Sequence, residues 1–111
     1  MKKYSESQLN NGLKIIVSED INSEIVTISL YVKAGARYEK PDERGCAHFL
    51  EHLFLLGTKS KPLAYDIGLI TNKAGALLTA ATTAETVKIY IQVGKSHFGE
   101  MLSLIADLAT N

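Results

Sequence analysis

The chain has 111 residues, 46% of them hydrophobic and 22% charged, and its 12 Lys+Arg balance 12 Asp+Glu for a formal net charge of zero. That length suits one small domain and leaves no room for a second independent core. The neutral balance gives no field to draw in nucleic acid or an anionic membrane surface, and no apolar run approaches the roughly 20 residues of a bilayer span.

Cys46 is the lone cysteine, which excludes an internal disulfide framework. The opening MKKYSESQLNNG is positive but has no apolar stretch behind it, so the expected setting is reducing and cytoplasmic. No repeat, low-complexity tract or Pro/Gly-rich linker divides the sequence, and residues 1–111 read as one continuous unit.

Asn11-Gly12, between SESQLN and LKIIVS, predicts a hairpin with a two-residue type I′ turn, because both residues tolerate positive φ. From Ile25 to Ala36, the apolar Val26, Ile28, Leu30, Val32 and Ala34 alternate with Thr27, Ser29, Tyr31 and Lys33, the pattern of a half-buried strand. Pro41, Asp42 and Glu43 suit the entrance of a helix over the apolar run 46–56, with Gly57 as its stop.

A second helix is predicted over 63–73, led in by Pro62, ended near Asn72 to Gly75 and weakened by Gly68. ALLTAAT then pairs with ETVKIYIQVG as a hairpin across Thr82 to Glu85, the second strand alternating Val87, Ile89, Ile91 and Val93 with polar residues. In SHFGEMLSLIADLATN, Phe98, Met101, Leu102, Ile105 and Leu108 fall at helical spacing and Ser96 is placed to cap. The sum is an α+β fold: a mostly antiparallel sheet with helices packed on one face, the 46–56 helix lying against it.

That helix, CAHFLEHLF, raises the chemical question. His48 and His52 lie one turn apart with Glu51 on the same side, within a sector of roughly 100°, while Phe49, Leu50, Leu53, Phe54 and Leu56 cover the rest. A helix apolar almost all round is expected to be buried, where an imidazole or carboxylate needs a hydrogen bond, a counter-charge or a metal. Zn2+ answers that need: histidines at i and i+4 can aim nitrogens at one ion, which lowers the pKa of a water it holds toward about 7, and Glu51 is placed to take the proton. Either histidine alone reads as a surface or structurally hydrogen-bonded residue; two with a glutamate on one apolar helix favour a metal. The order His-x-x-Glu-His is that of the inverzincins.

Other candidates are less informative. Cys46 points nearly opposite His48 and reads as a small core residue, and His97 reads as solvated. Glu85, Glu100 and Asp107 could each supply a further carboxylate ligand, and sequence selects none of them.

The segment GARYEKPDERGCAHFLEHLFLLGT resembles the N-terminal part of the pitrilysin, insulin-degrading enzyme and mitochondrial processing peptidase family. Its members carry Gly-x-Arg-x-Glu (here Gly35, Arg37, Glu39), a short acidic loop, Gly-x-Ala-His-Phe-Leu-Glu-His (Gly45 to His52) and a Gly-Thr (Gly57, Thr58). More loosely, the resemblance extends through the order of elements over nearly the whole chain. It implies zinc-dependent cleavage of peptides or presequences, with His48 and His52 as ligands and Glu51 as the base.

The family's Asn-Ala-x-Thr strand, which lies along the substrate, aligns with TAAT, so Thr79 and Ala80 are candidate substrate contacts, with Thr79 replacing the Asn and Thr82 matching the Thr. The resemblance also implies a third ligand, a Glu on a downstream helix, and a second similar domain closing a chamber over the site. The chain is therefore expected to be the first part of an N-terminal peptidase domain, inactive alone, that meets a peptide or unfolded polypeptide and pairs with a second family domain or forms a homo-oligomer. The competing expectation is a non-catalytic scaffold or regulatory subunit of the same family, and a small structural domain without metal is the third.

Overall fold

The structure is a computed structural model that describes residues 3–111. In chain order the elements are β1 (Tyr4–Gln8), β2 (Lys14–Ser18), β3 (Ile25–Val32), α1 (Cys46–Phe54), α2 (Ala64–Ala74), β4 (Leu77–Thr82), β5 (Val87–Gly94) and α3 (Phe98–Thr110), with short 3-10 turns at Ala36–Tyr38 and Lys95–His97. The fold is α+β as expected. No helix among the described residues is long and apolar enough to cross a membrane.

The core follows from the alternation along β5. This strand lies between β3 and β4 and is antiparallel to both, so Ile91 stands level with Ile28 and Leu78, and Ile89 with Leu30 and Ala80. Residues two apart share a face, and that face receives Ile67 from α2, Met101, Leu104, Ile105 and Leu108 from α3, and the edge of Phe54 from α1. Val87, Ile89, Ile91 and Met101 are wholly buried, each contributing about 1.5–3 kcal/mol of transfer free energy. The opposite face carries Tyr31, Tyr90 and Lys88, whose ammonium lies 5.4 and 4.7 Å from the two ring centroids. β1 and β2 form a separate two-stranded sheet.

Several local expectations are corrected. The hairpin turn spans three residues rather than two: Leu9 N–H bonds Leu13 C=O at 2.9 Å, and of the turn residues only Gly12 has positive φ, at 90°. A type I′ turn needs two such residues. β3 stops at Val32, short of Ala36, because the chain leaves the sheet and docks on the β4–β5 turn, with Arg37 N–H donating to Ala84 C=O at 2.8 Å. Ser96 does not cap α3; it lies inside the preceding 3-10 turn, and His97 occupies the cap position without a side-chain bond.

The largest correction concerns α1. It ends at Phe54 rather than Leu56, and among its residues only Ala47 is buried. Phe49 is 64% exposed, and Leu50, Leu53 and Leu56 are open as well. The helix crosses β4 and β5 and meets them with one side only. Cys46 is exposed, so it is not the core residue that the helical wheel implied.

Candidate metal centre

α1 is held in place at its start by residues that precede it. Gly45, at φ 90°, turns the chain into the helix and offers no side chain to cap it. The Glu39 carboxylate does so instead, one oxygen accepting from Gly45 N–H and the other from Ala47 N–H, each at 2.8 Å. The Ala47 N–H, and next the Gly45 N–H, hold the Glu39 carboxyl below the usual carboxylate range. Asp42 and Glu43, expected at this entrance, are not within the first turn; Glu43 accepts from Lys40 N–H in the loop at 3.2 Å.

The residues before Glu39 are fastened to the β4–β5 turn. Ala36 N–H and Arg37 N–H donate to Thr83 and Ala84 carbonyls, and the Arg37 guanidinium pairs with Glu85. Gly35 is buried here, and a Cβ at this position would lie 2.5 Å from the Ala84 carbonyl atoms. Backbone therefore approaches backbone where only glycine fits.

On α1 the three expected groups converge. His48 Nε2 and His52 Nε2 are 3.1 Å apart, with ring centroids 4.7 Å apart and planes at 81°. Glu51 Oε2 lies 3.7 Å from His48 Nδ1. One ligand atom from each of the three falls within 4.8 Å of the others. The Glu51 side chain is 14% exposed and that of His48 67%; His52 is exposed as well, so the carboxylate faces the sheet and both imidazoles are open to solvent. Thr82, the last residue of β4, donates its hydroxyl to Glu51 Oε2.

The geometry accommodates a zinc ion. Nitrogens at about 2.0–2.1 Å from a tetrahedral ion stand roughly 3.3 Å apart, close to the observed 3.1 Å. Imidazole nitrogen is a favoured donor for this ion. The same separation also suits an N–H···N hydrogen bond between the two rings, with the donor set by their tautomers.

The remaining candidates lie apart from this group, and among the described residues no fourth His, Cys, Asp or Glu joins it. Glu85 is paired with Arg37, and Glu100 with His97 at 3.3 Å. Asp107 accepts from Ser60, Thr58 and Lys61 at 2.6, 2.7 and 3.1 Å, tying the loop after α1 to α3; these hydroxyls, Ser60 first, and the Lys61 ammonium hold its carboxyl far below the ordinary range. Thr79 and Ala80 are neighbours on β4 with opposite faces, Ala80 toward the core and Thr79 beside Tyr90. β4 pairs only with β5 among the described residues, which leaves its outer edge open.

Sequence reasoning missed two supports of the group. Thr82 meets Glu51 across 31 residues of chain, a pairing that no local pattern announces. Glu39 had a signal, its place in the Gly-x-Arg-x-Glu string, but spacing does not reveal which helix end it serves.

Known proteins place the chain. The insulinase family (peptidase family M16) matches over residues 14–111. A Rickettsia bellii protein named as an uncharacterized zinc protease is 36% identical over 99% of this chain and 26% of its own length. The Bos taurus mitochondrial-processing peptidase subunit beta is 35% identical over 93% of this chain and 21% of its own. In fold, a crystal structure of a protease from Helicobacter pylori superposes with a TM-score of 0.90 at 24% identity, covering 97% of this chain and 26% of that one. The chain thus spans about a quarter of the length of these relatives, and it belongs to the insulinase family of peptidases.

Proposed function

We propose that this chain supplies the metal-binding helix and substrate-side strand of a zinc-dependent endopeptidase acting on peptides or unfolded polypeptides. The observation that carries the reading is the convergence of His48 Nε2 and His52 Nε2 at 3.1 Å beside a carboxylate already oriented by Thr82. The names of the relatives, a zinc protease and a processing peptidase subunit, support it.

Zinc, when bound, polarises a carbonyl and acidifies water. His48 and His52 would hold it through the converging Nε2 atoms. Glu51 takes the proton of the attacking water on one carboxylate oxygen and later delivers it to the leaving amine nitrogen. Thr82 bonds Oε2 of that carboxylate, the oxygen that also lies 3.7 Å from His48 Nδ1, and so limits its rotation.

The open edge of β4 accepts an extended peptide as an added strand, its backbone bonding to residues around Thr79 and Ala80. Two imidazoles would leave positions on such an ion for a further ligand and a water. The exposed apolar residues Phe49 and Leu53 of α1, with Leu56 just beyond its end, support pairing with a second family domain or a second copy.

The test is hydrolysis of a quenched fluorogenic peptide by the full-length gene product with one bound zinc. Chelation by phenanthroline should abolish cleavage, and Glu51→Gln should retain zinc and lose at least about 100-fold in kcat. Undiminished cleavage by Glu51→Gln overturns the reading, and a zinc-loaded wild type without turnover points to a scaffold subunit.

A further inference from the structure

We propose that Glu39 is a positioning residue for the His48–His52 pair, acting through the first turn of α1. The proposal rests on the metal-site reading above, because it asks what keeps those two imidazoles aimed at one point.

α1 has nine residues, too few to hold a helix in water by itself. Its first N–H groups have no partner within the helix, and Gly45 brings no side chain to them. Glu39 answers with both oxygens on separate donors, Oε2 on Gly45 N–H and Oε1 on Ala47 N–H. A two-point grip fixes both the direction and the rotation of the first turn, which a single bond does not. The negative charge also sits at the positive end of the helix dipole.

His48 follows Ala47 directly and lies in that first turn, whereas His52 lies in the last turn. Fraying at the start therefore displaces one ligand and leaves the other in place. The grip is referenced to the same hairpin that holds Glu51. Residues 36 and 37 bond to the Thr83 and Ala84 carbonyls just beyond Thr82, and Thr82 itself donates to Glu51. The β4–β5 hairpin thus sets α1 at two points, its start through Glu39 and its middle through Thr82, and His48 lies between them. Each member of the Gly35, Arg37, Glu39 string then has a physical role. Gly35 permits the close approach, Arg37 pairs with Glu85, and Glu39 carries the anchorage to the helix.

Two readouts on the full chain test the proposal: zinc affinity by competition with a chromophoric chelator, and, in the metal-free protein, amide exchange at Ala47 together with the nuclear Overhauser contact between the His48 and His52 rings. Glu39→Ala should weaken zinc about 10-fold or more, accelerate exchange at Ala47 and lose the ring contact, while Ile89 and Ile91 amides stay protected. Glu39→Gln keeps one accepting oxygen and should fall between; Glu43→Ala, in the same loop, should match wild type. Wild-type zinc affinity or an intact ring contact in folded Glu39→Ala overturns the proposal. Should Glu39→Ala fail to fold, Glu39→Gln decides: affinity and ring contact equal to wild type overturn it. If the wild type binds no zinc, the metal-site reading fails, and the ring contact and Ala47 exchange alone judge Glu39.

Discussion

Thr82 donates its hydroxyl to Glu51 Oε2, joining the last residue of β4 to the middle of α1. A half-buried carboxylate that loses a donor gains rotational freedom and an unmet acceptor. Thr82→Val, close in shape, should therefore lower kcat about 10-fold with KM little changed, and Thr82→Ser should restore most of it. Steady-state kinetics of the full-length protein on a fluorogenic peptide measure the split. A rise in KM alone would assign Thr82 to substrate binding.

The same strand pair governs stability. Ile89 is wholly buried between Leu30 and Ala80 and beneath α3. Ile89→Ala should cost about 2–5 kcal/mol through lost transfer free energy and the cavity left behind. Urea denaturation followed by circular dichroism reads this as a lowered midpoint at constant slope.

Two glycines of the motif segment should respond for different reasons. Gly35 has ordinary extended angles, yet a Cβ there would lie 2.5 Å from Ala84 backbone. Gly45 has open space around it but a φ of 90°. Gly35→Ala should destabilise by about 1–3 kcal/mol through overpacking, and Gly45→Ala by about 1–2 kcal/mol through backbone strain. Only the first should detach the Arg37 segment from residues 83–85, visible as faster exchange at the Arg37 amide.

Asp107 makes stability pH-dependent on the acid side. Its carboxyl is depressed in the folded state, chiefly by Ser60 and Thr58, from an ordinary value of 3.8. Because the folded value is the lower one, the unfolded chain binds the proton first as pH falls; the stabilisation is complete above the unfolded value and is lost as pH drops through the folded one. Wild type should exceed Asp107→Asn in urea midpoint at pH 6, and the gap should narrow below about pH 3.8. A gap that is constant with pH contradicts the assignment.

Much of the architecture was legible because it is written in local periods. The alternation of β5, the spacing in α3 and the αL stop at Gly75 are signals carried by neighbouring residues. The His48, Glu51, His52 stripe was legible for the same reason, since helical spacing alone brings the three together. What escaped depends on contacts between distant segments. The exposure of α1 follows from how it crosses the sheet, which a helical wheel does not contain. The hydrogen bonds of Glu39 to the helix start and of Thr82 to Glu51 depend on where the chain turns at Val32 and at Thr83. Asp107, considered as a ligand, instead clasps the loop at 58–61 through bonds spanning 46 to 49 residues.

The most direct measurement is isothermal titration of zinc into chelator-treated protein, comparing wild type with His48→Ala, His52→Ala and the double variant. The account predicts one ion per chain for wild type, at least about 10-fold weaker binding in each single variant and none in the double. Equal zinc binding by wild type and the double variant, or no binding by wild type, would contradict it.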